Sequence, residues 1–473
     1  MDTSLPKAGP PAPRVTENPL VRAGLWLADF TERWFPDAFV FALAGVVVVF
    51  LMAWGVGEDP YKLTQVFGKN FWVLIPFTMQ MVLVIVGGYV VASSPPVYRL
   101  IRYLAEVPRT PRGAVGYVAL LAMLSSLLSW GLSLIFTGLL VREICRRLEG
   151  VDYRAIGAAS FMGLGSVWAF GLSSSAALLQ ASPTAMPPAL LAITGVIPLT
   201  QTIFLWQSGV SALVLMVVTV VVAVWSCPPA SQARTQKDFG IEYQPLTVEV
   251  EPRTRPGEWL EYSPILNVLV VLICLPYIVA QFREKGGLGA LDLNMFNLLF
   301  VMAGLLLHGT PRSFLKAVAA SVPATAGVII QYPFYAGIFG MISETSLHTI
   351  LGELFTALSS PQTFPLLVAA YSALLGLFVP SAGAKWIIEA PYVMAAAQQH
   401  HVHLGWTVQI YNAAEALPNM LNPFWMLPLM GILSVRAREL AGYSILQLIV
   451  HTPVVFFLCW FFSRTLAYVP PSP

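Results

Sequence analysis

Long apolar stretches separated by short polar segments dominate the chain. A helix needs roughly 20 apolar residues to cross a bilayer, and seven uninterrupted stretches offer about that length. They cover residues 37–55, 71–93, 208–226, 264–281, 293–307, 317–343 and 443–462. This pattern predicts an all-α polytopic membrane protein.

Four further stretches are apolar but are interrupted by small polar residues. They cover residues 114–141, 155–182, 364–397 and 404–434, with interruptions at 125–133, 171–175, 380–386 and 418–423. Irregular backbone inside a membrane is tolerated only where protein or a water-lined cavity satisfies its polar groups. We therefore expect these four interruptions to face a functional site.

The Lys and Arg residues predict how two of these stretches enter the membrane. Four arginines lie on each side of 114–141: Arg99, Arg102, Arg109 and Arg112 before it, and Arg142, Arg146, Arg147 and Arg154 after it. Cytoplasmic segments are enriched in such residues, so both ends of 114–141 are predicted to be cytoplasmic. A re-entrant hairpin of two half-length helices satisfies this requirement. The flanks of 364–397 contain no Lys or Arg, which predicts a second hairpin entering from outside.

The order of these elements repeats. Two spans, a hairpin, a broken span and a span occur on each side of one connecting span at 264–281. An odd connecting span inverts the second half, as in inverted-repeat secondary transporters, whose sites lie at the membrane midplane. We predict about nine spans and two opposed hairpins.

The predicted domain organisation follows from this order. Residues 1–36 form an N-terminal cytoplasmic segment with an amphipathic helix. Residues 37–227 form the first repeat, with a hairpin at 113–141 and a broken helix at 155–182. The linker and connecting span cover 228–292. The second repeat covers 293–464, with a hairpin at 364–400 and a broken helix at 404–434, and a tail follows at 465–473.

The composition is typical of a membrane protein, and three charged residues fall inside its apolar stretches. The chain is 57% hydrophobic and 11% charged, with a net charge of +2, which excludes a nucleic-acid binder. Of 26 Lys and Arg residues, 20 lie in the predicted cytoplasmic segments and five outside, which leaves Lys385. Among the acids, only Glu389 and Glu415 fall well inside apolar stretches. A charge at this depth usually marks a substrate or ion path.

The interrupted segments supply the candidate substrate site. The first half provides Ser125, Ser126, Ser129, Trp130, Ser173, Ser174 and Ser175, and the second provides Ser381, Gly383, Lys385, Trp386, Asn419 and Asn422. Hydroxyls, amides and the positive ends of half-helices can hold a carboxylate and Na⁺. In the alternative interpretation, small residues merely allow close helix packing, and serines bond back to their own helix.

The buried charges suggest roles in recognition and coupling. Lys385 either faces a monocarboxylate or pairs with Glu389, one helical turn away. Glu415 is either a proton carrier or a structural acid. Glu389, Asn412 and Glu415 are the candidates for coupling to H⁺ or Na⁺. We expect no cofactor and no metal site, because the four cysteines are scattered and the histidines at 400, 401 and 403 fall in a short outer loop.

Several motifs resemble one family. They are Trp34-Phe-Pro-Asp37, Trp130-Gly-Leu-Ser-Leu-Ile-Phe with Arg142-Glu143, Ile197-Pro-Leu-Thr-Gln201, and Phe378-Val-Pro-Ser-Ala-Gly-Ala-Lys-Trp386 followed by Glu389-Ala-Pro391. They are similar to motifs of the bacterial short-chain fatty acid transporters, a group associated with uptake of acetoacetate and butyrate. That family often has Gly where this chain has Ala382 and Ala384, and Gln where it has Lys385.

The resemblance implies ion-coupled symport of short-chain monocarboxylates across the bacterial cytoplasmic membrane. It also implies a homodimer whose moving domain carries both hairpins, within a superfamily that includes divalent-anion/sodium symporters. A di- or tricarboxylate carrier and an anion channel remain the alternatives. A membrane-embedded enzyme is disfavoured, because the chain contains no HExxH, GxSxG or paired-carboxylate motif and its only His cluster lies in a loop.

Overall fold

The computed structural model describes residues 26, 30, 33, 34, 38–242, 255–377 and 381–470, and these residues form helices and loops without strands. Most of the N-terminal segment 1–36 lies outside the described residues, so its amphipathic helix stays a prediction. Residues 243–254 of the predicted linker, residues 378–380 at the tip of the second hairpin and the tail residues 471–473 also lie outside the described residues.

Twenty-one α-helices are formed by the described residues. Those before the linker are α1 Ala38–Gly55, α2 Pro60–Asn70, α3 Ile75–Ala92, α4 Pro95–Leu104, α5 Pro111–Leu128, α6 Trp130–Arg147, α7 Tyr153–Met162, α8 Ser175–Gln180, α9 Pro188–Thr194 and α10 Trp206–Ser226. Those after it are α11 Glu258–Glu261, α12 Ile265–Glu284, α13 Leu293–His308, α14 Pro311–Ser321, α15 Ala326–Ser343, α16 Leu347–Ala357, α17 Phe364–Gly376, α18 Ala382–Gln399, α19 Leu404–Asn419, α20 Leu427–Leu433 and α21 Ala437–Ser463.

Within the described residues, seven helical segments are long and apolar enough to cross a membrane, and three shorter apolar helices accompany them. The prediction of an all-α polytopic membrane protein is confirmed, whereas the number of nine spans stays a prediction. The segments differ greatly in burial. In the most apolar part of Tyr153–Gln180, 94% of positions are buried, against 6% in Ile265–Glu284. The broken helix of the first half therefore lies in the core, and α12 lies at the periphery.

Helices α5 and α6 form the first hairpin. Ser129 alone separates them, and its Oγ accepts a hydrogen bond from the Leu132 amide at 3.4 Å, which caps α6. Glu106, before α5, forms an ion pair of 3.1 Å with Arg147 at the end of α6, so both outer ends lie on the same side. Each arm has 18 residues, about 27 Å at 1.5 Å per residue. The arms are therefore longer than the predicted half-length helices, because the break is one residue and not 125–133.

Helices α17 and α18 form the second hairpin, and their outer ends also meet. Nε2 of His400, just after α18, lies 3.0 Å from Oγ of Ser359, just before α17. The helix resumes at Ala382. Gly383, Lys385 and Trp386 are consequently helical residues in the first turns of α18, whereas the sequence places them in a non-helical interruption.

The first broken helix departs from α-helical geometry earlier than predicted. After α7 ends, a π-helical turn covers Gly163–Val167 and a 3₁₀ turn covers Trp168–Phe170, and α8 follows. The break therefore begins at residue 163, not at 171. Close packing against the first hairpin explains why Gly171 is needed here: a Cβ at Gly171 would lie 2.7 Å from Cα of Leu127. Backbone of the broken helix thus lies directly against the end of α5.

The break in the second broken helix begins where the sequence predicts it, within residues 418–423. Helix α19 stops at Asn419, and a 3₁₀ turn at Pro423–Met426 leads into α20. The Asn419 amide Nδ2 donates to the Leu164 carbonyl in the π-helical turn at 3.5 Å. The interruptions of the two broken helices therefore meet.

Three short helices, α2, α4 and α16, lie in segments where the sequence predicts no span. Helix α2 is capped by Asp59, whose side chain accepts from the Lys62 amide. These helices have 10 or 11 residues, which are too few to produce the signal of a crossing. The predicted span 317–343 is likewise divided, because a 3₁₀ turn at Val322–Thr325 separates α14 from α15.

Candidate functional site

The two hairpins and the two broken helices converge on a small cavity, which we call the tip site. It is lined by Met81, Ile85, Trp130, Leu164, Trp168, Ser175, Val328, Tyr332, Ser381, Ala382, Gly383, Glu415, Asn419 and Trp425. Its volume of about 20 Å³ leaves room for about one water molecule. Six of these residues were predicted from the sequence for the substrate site or for ion coupling: Trp130, Ser175, Ser381, Gly383, Glu415 and Asn419.

Two long helices begin at the tip site. Trp130 is the first residue of α6 and Ala382 is the first residue of α18, and each helix has 18 residues. The first amides of a helix lack partners within it and carry a partial positive charge. Ser381 Oγ donates to the Tyr332 hydroxyl at 3.2 Å, and Tyr411 donates its hydroxyl proton to the Ala382 carbonyl. The site thus offers positive helix ends and hydroxyls, a combination suited to a carboxylate.

Gly383 lets the start of α18 approach the first half of the chain. A Cβ at this position would lie 2.8 Å from Cζ of Phe77 and 3.3 Å from Cβ of Ser175. No larger residue fits without displacing Phe77. The glycine therefore holds the second hairpin against Ser175 of the broken helix.

Lys385, Glu389 and Glu415 form a buried charged cluster, called the Lys385 cluster below. The Lys385 ammonium is in direct contact with the Glu415 carboxylate and lies 3.5 Å from Glu389 Oε1. The side chains of Lys385 and Glu389 are fully buried, and that of Glu415 is 1% exposed. The pairing of Lys385 with Glu389, one of the two alternatives from the sequence, is present, and Glu415 joins it.

Three helices position the Lys385 cluster. Lys385 and Glu389 lie four residues apart on α18, and Glu415 comes from α19. From α17, the Ser372 carbonyl accepts from Lys385 at 2.5 Å, and the Ser372 hydroxyl donates to Glu389 Oε2 at 2.8 Å. A buried charge is tolerated only when paired and hydrogen-bonded. Of the three, only Glu415 lines the tip site, so the cluster meets the site through this acid.

Aromatic rings of α18 and α19 also pack against the cluster. The Lys385 Nζ lies 4.9 Å from the centroid of the Tyr411 ring, a cation–π distance. Trp386 packs against the same ring with the centroids 4.7 Å apart and is fully buried. Trp386, a candidate for the substrate site, does not line the tip site, because its ring packs against Tyr411 of α19.

Three of the candidate serines of the first half, Ser125, Ser129 and Ser173, make hydrogen bonds to the backbone of the helices around them. Ser173 Oγ accepts from the Trp130 amide at 2.9 Å, and Ser125 donates back to the Leu121 carbonyl at 2.7 Å. Ser126 and Ser174 are fully buried, and their hydroxyls have no hydrogen-bond partner among the described residues. Neither they nor Ser125, Ser129 and Ser173 line the tip site. Helix packing and capping, the alternative interpretation, therefore describes Ser125, Ser129 and Ser173.

The polar residues of α19 divide in the same way. Asn419 lines the tip site. Asn412 Nδ2 instead donates to Gln409 Oε1 within the helix at 3.1 Å, and neither Asn412 nor Asn422 lines the cavities described here. His403 Nδ1 accepts from the Trp406 amide and caps α19. In the described ranges, no three His, Cys, Asp or Glu side chains are grouped so as to hold a metal ion.

A second cavity of about 600 Å³, called the vestibule below, adjoins the tip site. It is lined by Ile85, Tyr89, Trp130, Gly131, Leu134, Ile135, Arg142, Ala320, Pro323, Ala324, Gly327, Val328, Trp425, Pro428, Gly431 and Ile432. Ile85, Trp130, Val328 and Trp425 line both cavities. The rings of Trp130 and Trp425 meet edge to face, with their centroids 5.2 Å apart. This pair stands between the tip site and the vestibule.

Trp425, Trp168 and Tyr332 line the tip site but are not predicted from the sequence. Trp425 lies in the interrupted stretch 404–434, two residues after Pro423, and that proximity is a usable signal. Tyr332 precedes Pro333 inside α15, and a proline within a membrane helix frees a carbonyl group. Trp168 lies in the interrupted stretch 155–182, three residues before Gly171, so the same signal was present for it.

Spanning-length apolar helices that enclose a buried polar site between two hairpins define a multi-pass helical membrane transporter. The chain belongs to the short-chain fatty acid transporter family. The sequence model of that family, described as Short chain fatty acid transporter, matches residues 20–462. The resemblance seen in the sequence motifs is thereby confirmed, and the family consists of transporters, not enzymes.

Two relatives cover nearly the whole chain. A protein of Escherichia coli (strain K12) is 33% identical over 430 residues, which are 90% of this chain and 96% of the relative. A protein of Haemophilus influenzae (strain ATCC 51907 / DSM 11121 / KW20 / Rd) is 29% identical over 440 residues, 92% of this chain and 98% of the relative. Both bear the name "Putative short-chain fatty acid transporter".

A solved structure supports the fold. The YdaH transporter of Alcanivorax borkumensis, whose crystal structure was described as revealing an unusual topology, is similar with a TM-score of 0.56 and 13% identity. The similarity covers 92% of this chain and all of that chain. At this low identity it shows the fold alone.

Proposed function

We propose that the protein is an ion-coupled secondary transporter that carries butyrate, acetoacetate and similar monocarboxylates by alternating access, with the tip site as its substrate site. One observation carries this proposal: the N-termini of α6 and α18 begin at one buried cavity that adjoins an apolar vestibule. A short-chain fatty acid has the matching parts, one carboxylate and a small apolar tail.

The carboxylate is assigned to the helix ends. Ser175, Ser381 and Asn419 supply hydrogen-bonding groups next to the first amides of α18. Lys385 is held by two carboxylates and a carbonyl, so in this conformation its charge is already neutralised. We therefore assign recognition of the substrate charge to the helix N-termini, and not to Lys385 as a direct counter-charge.

The alkyl tail is assigned to the apolar wall of the tip site. Met81, Ile85, Trp130 and Trp168 line this wall. At about 20 Å³ the site is too small for a short-chain acid in this conformation, so it must widen for the substrate to bind. Substrate entry needs the Trp130 and Trp425 rings to separate.

The predicted sidedness of the membrane agrees with the ion pairs. Arg147–Glu106, Lys237–Glu149 and Arg312–Glu261 each join two segments predicted to be cytoplasmic, and Lys69–Glu344 and Lys285–Asp292 each join two predicted to be outside. The vestibule extends from the tip site toward Arg142, in the last turns of α6. With this orientation, in which the N-terminus is cytoplasmic, the vestibule opens inward. We propose the bacterial cytoplasmic membrane as the location.

The order of elements supports an inverted repeat. The same order of elements occurs in α1–α10 and again in α13–α21: a helix, a short helix, a helix, a short helix, a hairpin, a broken helix and a final helix. Contacts are reciprocal, since α15 packs against α1 and α13 packs against α3. We propose that the halves are inverted repeats. The proposed homodimer rests on the family resemblance alone.

The two alternatives fit the site less well. A di- or tricarboxylate needs additional positive charge, but the described lining of the tip site contains the acid Glu415 and no Lys or Arg. A channel needs a continuous open path, and the tip site of about 20 Å³ does not provide one in this conformation.

Exchange transport in proteoliposomes tests the proposal. Vesicles preloaded with unlabelled butyrate should accumulate labelled butyrate or acetoacetate transiently, with saturation, above the leak of protein-free vesicles. Ser381→Ala and Ser175→Ala should raise the KM, whereas Ser231→Ala, at an exposed position, should not. Flux that never saturates would indicate a channel, and stronger competition by succinate or citrate than by butyrate would contradict the substrate class.

A further inference from the structure

The Lys385 cluster contains one basic and two acidic side chains that are almost completely shielded from solvent. With all three groups ionised, the cluster has one net negative charge. Nothing in substrate recognition as proposed above uses this charge. A cluster that only stabilised the fold would need one acid to neutralise one lysine, so the second acid calls for a function.

The two acids of the cluster have different surroundings. Glu389 accepts a hydrogen bond from Ser372 at 2.8 Å and lies 3.5 Å from Lys385, behind the tip site. Glu415 contacts Lys385 directly and also lines the tip site. A molecule that enters the tip site therefore meets Glu415 and not Glu389.

A bound carboxylate would place a second negative charge beside Glu415 in a region of low dielectric. Two carboxylates that lie side by side in such a region disfavour each other's ionisation. Protonation of Glu415 keeps the buried charge at one negative when the substrate binds. Substrate binding and protonation of Glu415 must then favour each other, and this coupling is reciprocal.

The other titratable groups near Glu415 are mainly phenols. Tyr332 and Tyr335 come from α15, Tyr411 from α19 itself, and Tyr371 and Tyr392 from the helices that hold Glu389. From α21, which also packs against α19, His451 bonds to Thr219 and Gln447 instead. Lys385 and Glu389 are thus the charged partners that set the protonation of Glu415 in this geometry.

A proton fits this site better than Na⁺. The ammonium of Lys385 already occupies the position between the two carboxylates, where a metal cation would have to bind. A proton on a Glu415 oxygen needs no additional ligands and no additional space.

Resting on the proposed function, we propose that the coupling ion is H⁺ and that Glu415 carries it, with Lys385 and Glu389 as positioning residues. The proton binds a carboxylate oxygen of Glu415 when the substrate anion enters the tip site. It leaves to the other side of the membrane after the anion has left. No bond other than this O–H bond forms or breaks.

Binding of acetoacetate to the detergent-solubilised protein tests the inference without interference from leak across vesicles. Calorimetric titrations in two buffers with different heats of ionisation give the number of protons taken up for each substrate bound. We expect about one proton in the wild type near neutral pH. Glu415→Gln should bind acetoacetate with almost no proton uptake. The control Glu344→Gln, whose acid pairs with Lys69 at the surface, should take up a proton as the wild type does.

Transport provides an independent readout. Relative to its own rate of butyrate exchange, Glu415→Gln should lose at least tenfold in uptake driven by a pH gradient, after subtraction of the protein-free leak. If that variant does not fold, Glu415→Asp should fold and keep proton uptake, and its failure to do so would overturn the inference.

The remaining outcomes separate the two proposals. Acetoacetate binding by the wild type without proton uptake, or binding that requires Na⁺, would overturn the proton inference alone. The assignment to Glu415 would also be overturned if Glu415→Gln took up as many protons as the wild type, or if only Glu389→Gln lost proton uptake. No binding of any short-chain acid would overturn the proposed function, and this inference with it.

Discussion

Glu58 accepts two hydrogen bonds from Ser346, one from its amide at 2.8 Å and one from its hydroxyl at 3.0 Å. This contact joins the loop after α1 to the start of α16, and so connects the two halves of the chain. Lys62 lies 2.9 Å from the same carboxylate. Together these donors lower the pKa of Glu58 from 4.5 to about 2, with the Ser346 amide as the largest cause.

Glu58 should therefore stabilise the fold in a pH-dependent way. Its folded pKa is below the ordinary value of 4.5, so the stabilisation is present above about pH 4.5 and is lost as the pH falls toward 2. Glu58→Gln should lower the Tm near neutral pH, and its difference from the wild type should shrink below pH 4.5. Thermal unfolding in detergent between pH 7 and pH 3 measures this. A Tm difference independent of pH would contradict the role of the ionised carboxylate.

The Lys385 cluster should show strong energetic coupling. Removing one partner of a buried pair leaves an uncompensated charge and typically costs about 3–5 kcal/mol. We expect Lys385→Met to lower stability by about that amount. Adding Glu415→Gln should restore part of the loss, with a coupling energy of roughly 0.5–3 kcal/mol. Unfolding of the two single variants and the double variant completes the cycle.

The Lys69–Glu344 pair provides the matched control for this cycle. Its side chains are 74% and 36% exposed, and exposed pairs contribute roughly 0–1 kcal/mol. The cycle Lys69→Met with Glu344→Gln should thus show little coupling. Equal coupling in both cycles would mean that the burial of the Lys385 cluster has no special energetic role.

Trp425 should limit the length of the transported acid. Trp425→Ala removes one ring of the pair between the tip site and the vestibule and leaves space for a longer tail. Each additional buried methylene contributes about 0.8 kcal/mol, or roughly fourfold in affinity. Hexanoate should therefore compete with labelled butyrate at least fourfold better in the variant than in the wild type. Trp225→Ala, at a position that is 79% exposed, should leave the ratio unchanged, and an equal change in both variants would count against this role.

A cysteine label can test the predicted orientation. Glu353 is exposed on α16, in a segment predicted to lie outside. In a background without the four native cysteines, Glu353→Cys should react with an impermeant maleimide added to intact cells. Arg109→Cys, exposed on the predicted cytoplasmic side, should react only after the cells are opened. The reverse pattern would overturn the orientation.

The sequence predicts the membrane class and the regions that meet, because apolar length and interruptions are properties of local sequence. It also predicts the pairing of Lys385 with Glu389, since a spacing of four residues places two side chains on one helix face. It does not predict that Glu415 joins them, because that contact depends on how α18 packs against α19. Long-range packing has no signature in residue spacing.

Serine clusters were weaker guides than the buried charges. A serine in a membrane helix can bond to its own backbone, as Ser125 does, and composition alone cannot separate that case from Ser175 at the tip site. The same ambiguity affects the breaks. Ser129 ends one helix and caps the next, so a run of serines predicts an interruption longer than the one formed.

The balance of charge in the Lys385 cluster has an electrical consequence. The membrane voltage changes the energy of a charge by about 2.3 kcal/mol per elementary charge for each 100 mV. With Glu415 ionised in the empty carrier and protonated beside a bound monocarboxylate, the buried charge is one negative in both forms. Voltage would then retard the loaded step and accelerate the empty return step equally. Accumulation would be set by the pH gradient alone, and the cycle would produce no net current.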